Sequence, residues 1–154
     1  SLQGSWRVTD AHCIRRIRRD MVGLVVATTN DADPSLAAPA QRVSTVLAEL
    51  ASNAVRHAPG RIMVDLYRGP GSWLLSVTDG RPDRAPQVRP TDPRRPGGLG
   101  LPMVGMLAAD VGWDAHDDGK RVWARIDDTV PEPLVSRLLG RGGSQLDDST
   151  RFRV

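Results

Sequence analysis

The stretch Val46-Leu47-Ala48-Glu49-Leu50-Ala51-Ser52-Asn53-Ala54-Val55-Arg56-His57 decides how this chain is read. With Val43 before it, Val46, Leu47, Leu50 and Ala54 fall at the i, i+3, i+4, i+7 spacing of an amphipathic helix. The helix runs from about Pro39 to His57, where Ala58-Pro59-Gly60 stops it. Glu49, Asn53 and His57 follow one another at i, i+4 and i+8, so they form one polar stripe along it. Alone, such a stripe is the ordinary solvent face of a surface helix. Next to Leu50 and Ala54 it also suits the border of a wet cleft. A carboxylate in that place can orient or deprotonate an attacking group. An asparagine amide oxygen is a hard ligand that suits Mg²⁺, which takes few protein groups and keeps waters and phosphate oxygens.

Working outward, Ser5 to Thr9 alternates and reads as a short first strand. From Ala11 to Thr28, Ile14, Ile17, Met21, Leu24 and Val25 recur at helical spacing, and Thr29 to Pro34 is a loop. After the central helix, Ile62, Val64 and Leu66 alternate with polar neighbours, and Trp73 to Thr78 is more continuously apolar. Arg68-Gly69-Pro70-Gly71 between them suits a hairpin. From Arg81 to Pro96 the chain is rich in proline and charge; so long a loop inside a compact domain is often a functional lid. Gly97 to Ala109 turns into a helix. Two last strands, Val111–His116 and Arg121–Ile126, are joined by Asp117-Asp118-Gly119-Lys120, with Asp118-Gly119 as the tight-turn signal. Lys120 is thereby a solvated turn residue and Trp123 a core residue. Val130 to Leu139 reads as a short helix, and beyond Gly140 the composition is that of a flexible tail. The expected class is α+β: a two-layer sandwich with one mixed, mostly antiparallel sheet covered on one face by helices. The domain spans 1–139 with its lid at about 81–97, and the tail covers 140–154.

The 154 residues make one domain, and with aromatics at 4% aliphatic side chains and alanine must fill its core. Lys120 is the only lysine, so the net charge of +3 comes from arginine. The densest basic run, Arg15-Arg16-Ile17-Arg18-Arg19, has no interleaved aromatics and reads as a solvated helix face; direct nucleic-acid binding is not expected. Cys13 stands alone, which excludes an internal disulfide or a cysteine metal cage and fits a cytoplasmic protein. No apolar run approaches the ~20 residues of a membrane helix, and no signal peptide is visible, so no membrane partner is expected. The chain begins at Ser1 rather than at methionine, which leaves room for an excised domain.

Two further motifs carry chemistry. Asp79-Gly80 ends the Trp73–Thr78 strand, where an acceptor-only carboxylate can take a hydrogen bond from the exocyclic amine of adenine. Gly97-Gly98-Leu99-Gly100-Leu101 opens a helix, where close backbone N–H groups and the helix dipole suit phosphate oxygens. It is not a Walker A loop, because no Gly-Lys-Ser/Thr follows, and no parallel βαβ unit surrounds it as a dinucleotide fingerprint requires.

In this order, the Glu-Leu-x-x-Asn-Ala-Val-Arg-His run, Val77-Thr78-Asp79-Gly80, a lid, Gly98-Leu99-Gly100-Leu101 and Gly119-Lys120-Arg121-Val122-Trp123 resemble the Bergerat-fold, histidine-kinase-like ATPases over about residues 5 to 128. The branch most resembled is the bacterial anti-sigma factor serine kinases. The resemblance implies ATP or ADP with Mg²⁺ as ligands. Glu49 would act as general base or orient the attacking hydroxyl, Asn53 would hold Mg²⁺, and Asp79 with Gly80 would recognise adenine. Gly98, Leu99, Gly100 and Leu101 would form the phosphate-side turn at the lid hinge, with Arg56, His57 and Lys120 also at the nucleotide. It further implies a sigma factor and an anti-sigma-factor antagonist as partners, and the related kinases commonly dimerise. One departure stands out. The family's Asp-x-Gly-x-Gly motif has Arg81 and Asp83 in place of its two glycines, with Pro82 between them, which makes a stiffer and more crowded loop.

Overall fold

The computed structural model describes residues 1–57, 60–80, 100–116, 119–132 and 134–135. Among them the elements run β1 (Leu2–Val8), α1 (Ala11–Thr29), α2 (Pro39–His57), β2 (Ile62–Gly69), β3 (Ser72–Asp79), α3 (Gly100–Leu107), β4 (Asp110–His116) and β5 (Gly119–Asp127). The strands form one sheet in the order β1-β2-β3-β5-β4. Every pairing between the described strands is antiparallel, so the sheet expected to be mixed and mostly antiparallel has no parallel pair among them.

Period-two alternation decides which face is covered. Ile62, Val64 and Leu66 of β2, Trp73, Leu75 and Val77 of β3, and Val122, Ala124 and Ile126 of β5 are buried. The helices supply the other half of this core: Ile14, Ile17, Met21 and Val25 from α1, and Val43, Val46, Leu47, Leu50, Ala51 and Ala54 from α2. α2 is the central helix and packs against α1, α3, β2, β3 and β5. The arginine run of α1 lies outside this core: Arg15, Arg16, Arg18 and Arg19 are exposed around a fully buried Ile17.

The ends of α1 follow from local chemistry. The Asp10 carboxylate accepts from the Cys13 amide at 2.9 Å as N-cap, and Asn30 closes the helix in the left-handed region at φ 55°. β1 starts at Leu2, earlier than the expected Ser5, because it pairs with β2 as far as Tyr67. Both hairpin loops are shorter than expected. Gly69 pairs with Ser72, leaving Pro70-Gly71 as the loop, and His116 pairs with Gly119, which puts Gly119 and Lys120 inside β5. At Pro131 the chain makes one turn, with the Leu134 and Val135 amides donating to its carbonyl. The rest of the expected terminal helix, the tail and the lid at 81–97 lie outside the described residues.

Trp123 is not a core residue. Val122, Ala124 and Ile126 take the covered face, so the ring emerges half-buried on the other face, above Gly112 of β4. A Cβ on Gly112 would fall 2.3 Å from the ring. Arg42, in contrast, is fully buried at the start of α2. Its guanidinium donates to the carbonyls of Asp127 at 2.7 Å, Asp128 at 3.1 Å and Ala37 at 3.3 Å, which ties α2 to the end of β5. Beside it Arg68 makes a two-pronged pair with Asp128, both contacts at 2.7 Å, and lies 4.6 Å from the centre of the Trp73 ring.

Candidate functional site

The sheet has two ends, and Asp79, Gly80 and Lys120 lie at the end away from Arg42. Asp79 is the last residue of β3 and lies opposite Lys120, the second residue of β5. Cross-strand partners project to the same face. The Lys120 Nζ accordingly stands 3.4 Å from the Asp79 Oδ2, with side chains 5% and 4% exposed. Lys120 is thus a buried strand residue rather than a solvated turn residue. An ammonium and a carboxylate tolerate such burial because each compensates the other.

The close fit of β5 to β3 depends on Gly119. A Cβ there would fall 1.9 Å from the Asp79 carbonyl oxygen. The dipeptide Asp118-Gly119 signals a turn in the sequence, but Gly119 serves as the place where two strands meet without a side chain between them. The pairing of β3 with β5 gives the signal in retrospect.

α2 brings its own residues to this end. Its last residue, His57, is followed within a few residues by Ile62 at the start of β2, where Met63 pairs with Thr78, the neighbour of Asp79. The C-terminal half of α2 and the carboxylate of Asp79 therefore share one end of the molecule. On that half Val55 is exposed, and Ala48 and Ser52 are half-buried. Glu49 is 7% exposed, and Asn53 and His57 are half-buried, so the stripe runs along the border between helix face and solvent. Arg56 is exposed.

α3 is anchored by its far end. The Ala109 amide donates to the Arg125 carbonyl, five residues along β5 from Lys120, and β4 then starts opposite Arg125. Gly100 and Leu101 begin α3, and the helix packs against α2. Gly98 and Leu99, and with them Arg81, Pro82 and Asp83, lie outside the described residues; Gly80 is exposed directly after Asp79.

Chemically, the arrangement offers an acceptor-only carboxylate and a donor-only ammonium side by side, and an amide and a carboxylate on the neighbouring helix. Among the described residues no group of three or more His, Cys, Asp or Glu side chains forms a metal cage. The Asn53 amide oxygen is a hard ligand of the type that fits Mg²⁺ held together with phosphate oxygens. No helix of the described residues is long and apolar enough to cross a membrane.

Residues 13–126 match the family model of the histidine kinase-like ATPase domain. No curated protein matches the chain.

Proposed function

Since the chain belongs to the histidine kinase-like ATPase domain family, we propose that it is an ATP- and Mg²⁺-binding anti-sigma regulatory factor, a protein serine kinase that phosphorylates an anti-sigma-factor antagonist. The observation that carries the reading is a buried Asp79 at the same end of the sheet as the half of α2 that bears Glu49 and Asn53. In this reading Asp79 accepts from the adenine amine, and Gly100 and Leu101 at the start of α3 lie on the phosphate side with Gly98 and Leu99. Asn53 would hold Mg²⁺, which neutralises charge on the phosphate oxygens. Glu49 orients or deprotonates the attacking serine hydroxyl. Its burial keeps water from competing for that proton and strengthens the interaction. As in other phosphoryl transfers, the protein's work is mostly positioning and charge stabilisation. Phosphorylation of the antagonist would leave the kinase free to hold a sigma factor, with a homodimer as the working form and the cytoplasm as its place.

A second reading has its own observation. Asp79 already carries a buried partner, Lys120, which suits a nucleotide-holding interaction module without turnover, alone or as the ATPase part of a larger sensor or phosphatase regulator. Incubation with candidate antagonists and γ-labelled ATP separates the two. The kinase reading predicts label on a serine of one antagonist, abolished by Glu49→Gln. Nucleotide binding with no serine labelled in any candidate supports the module.

A further inference from the structure

The buried pair of Asp79 and Lys120 asks for a use beyond stability. An ion pair this far out of water is rarely better than apolar residues of the same volume, because two desolvation costs must be met before attraction counts. Here it stands at the end of the central strand β3 and its neighbour β5, at the pole that carries Glu49 and Asn53. Removing Asp79 would take from the buried Lys120 ammonium the carboxylate it faces.

The chemistry of the pair is that of a reader. Asp79 only accepts and Lys120 only donates, and they sit 3.4 Å apart on adjacent strands held by the ladder. Adenine presents the complement along its edge: an exocyclic amine that donates, flanked by ring nitrogens that accept. Resting on the adenine assignment of Asp79 made above, we propose that Lys120 is a second base-reading residue, donating to the ring nitrogen beside the amine that Asp79 binds. The lysine also holds the carboxylate in place before the base arrives, so less ordering is left for binding. A site that hydrogen-bonds a ligand atom discriminates strongly against an analogue lacking it, because the buried protein group is then left unmatched.

The test is calorimetric titration of the full chain, wild type, Lys120→Met and Lys120→Gln, with ATP, 1-deaza-ATP, 7-deaza-ATP and GTP in Mg²⁺, after circular dichroism confirms folding. The wild type is expected to bind one of the two deaza analogues about tenfold or more weaker than ATP. Lys120→Met is expected to bind ATP at the level of that analogue and to lose the discrimination, while Lys120→Gln, which keeps an N–H donor, retains most of it. Equal weakening of ATP and both analogues by Lys120→Met would reduce Lys120 to a counter-charge and overturn the proposal. So would GTP binding as tightly as ATP, or a wild type indifferent to both deaza substitutions, a comparison that needs no variant to fold. In each of these cases the nucleotide site itself survives; a wild type that binds no nucleotide at all overturns both.

Discussion

Gly119 and the pair behind it put the tightest constraints on single residues. Gly119→Ala places a methyl against the Asp79 carbonyl oxygen, a backbone atom that cannot swing aside. We expect ~1–3 kcal/mol of destabilisation in denaturant unfolding, together with weaker nucleotide binding, as β5 shifts from β3. Lys120→Met and Asp79→Leu each break the buried ion pair, and each is expected to cost ~3–5 kcal/mol, whereas the double variant should recover most of that loss. A double variant as unstable as the two losses summed would show that the pair is not the coupled unit described here. For binding, Asp79→Asn is expected to weaken adenine nucleotides by ~1–3 kcal/mol through a lost charge-assisted hydrogen bond; unchanged affinity in calorimetry would move base recognition elsewhere. The candidates Glu49, Asn53 and Asp79 were legible because their residue types break an apolar pattern. The burial of Lys120 was not, since an Asp-Gly dipeptide marks a turn but not where the returning strand starts. The reading of Trp123 as a core residue overlooks alternation: Val122, Ala124 and Ile126 facing the helices oblige it to face away.

Among the elements, α2 matters most, and its bounds follow directly from apolar spacing and the breakers after His57. What spacing does not reveal is how the helix is held at its other end. Arg42 looks like one more surface arginine in the sequence, yet it is fully buried and donates to three backbone carbonyls. Burial pulls its guanidinium below the ordinary value, while the charges of Asp128, Asp127 and Asp31 act against that pull. Arg42→Met is expected to lose ~3 kcal/mol or more of stability, because three charge-assisted hydrogen bonds that tie α2 to the end of β5 are lost together. Thermal unfolding checks this. A loss within about 0.5 kcal/mol, the range of ordinary surface substitutions, would contradict it.

At the scale of the whole molecule, the fold separates a structural pole from the pole that carries the candidate site. Arg42, Arg68, Trp73 and Asp128 lock one end, and Asp79, Lys120 and the second half of α2 form the other. The structural pole has a pH signature. The hydrogen bonds from Arg68 hold the Asp128 carboxyl below the usual carboxylate range, against the opposing effect of burial. A carboxyl depressed in the folded state contributes stability above its unfolded value of about 3.9 and loses it as pH falls through the folded value. Acid titration of Asp128→Asn should therefore show a shallower loss of stability below pH ~4 than the wild type; parallel curves would remove the pair from the account. Nucleotide binding at the other pole is checked by calorimetry of Mg-ATP with wild type and Asn53→Ala. The account predicts saturable heat for the wild type, and binding in Asn53→Ala that is weaker and has lost most of its dependence on Mg²⁺. No ATP-dependent heat in the folded wild type, or identical Mg²⁺-dependent binding in the two proteins, would contradict it.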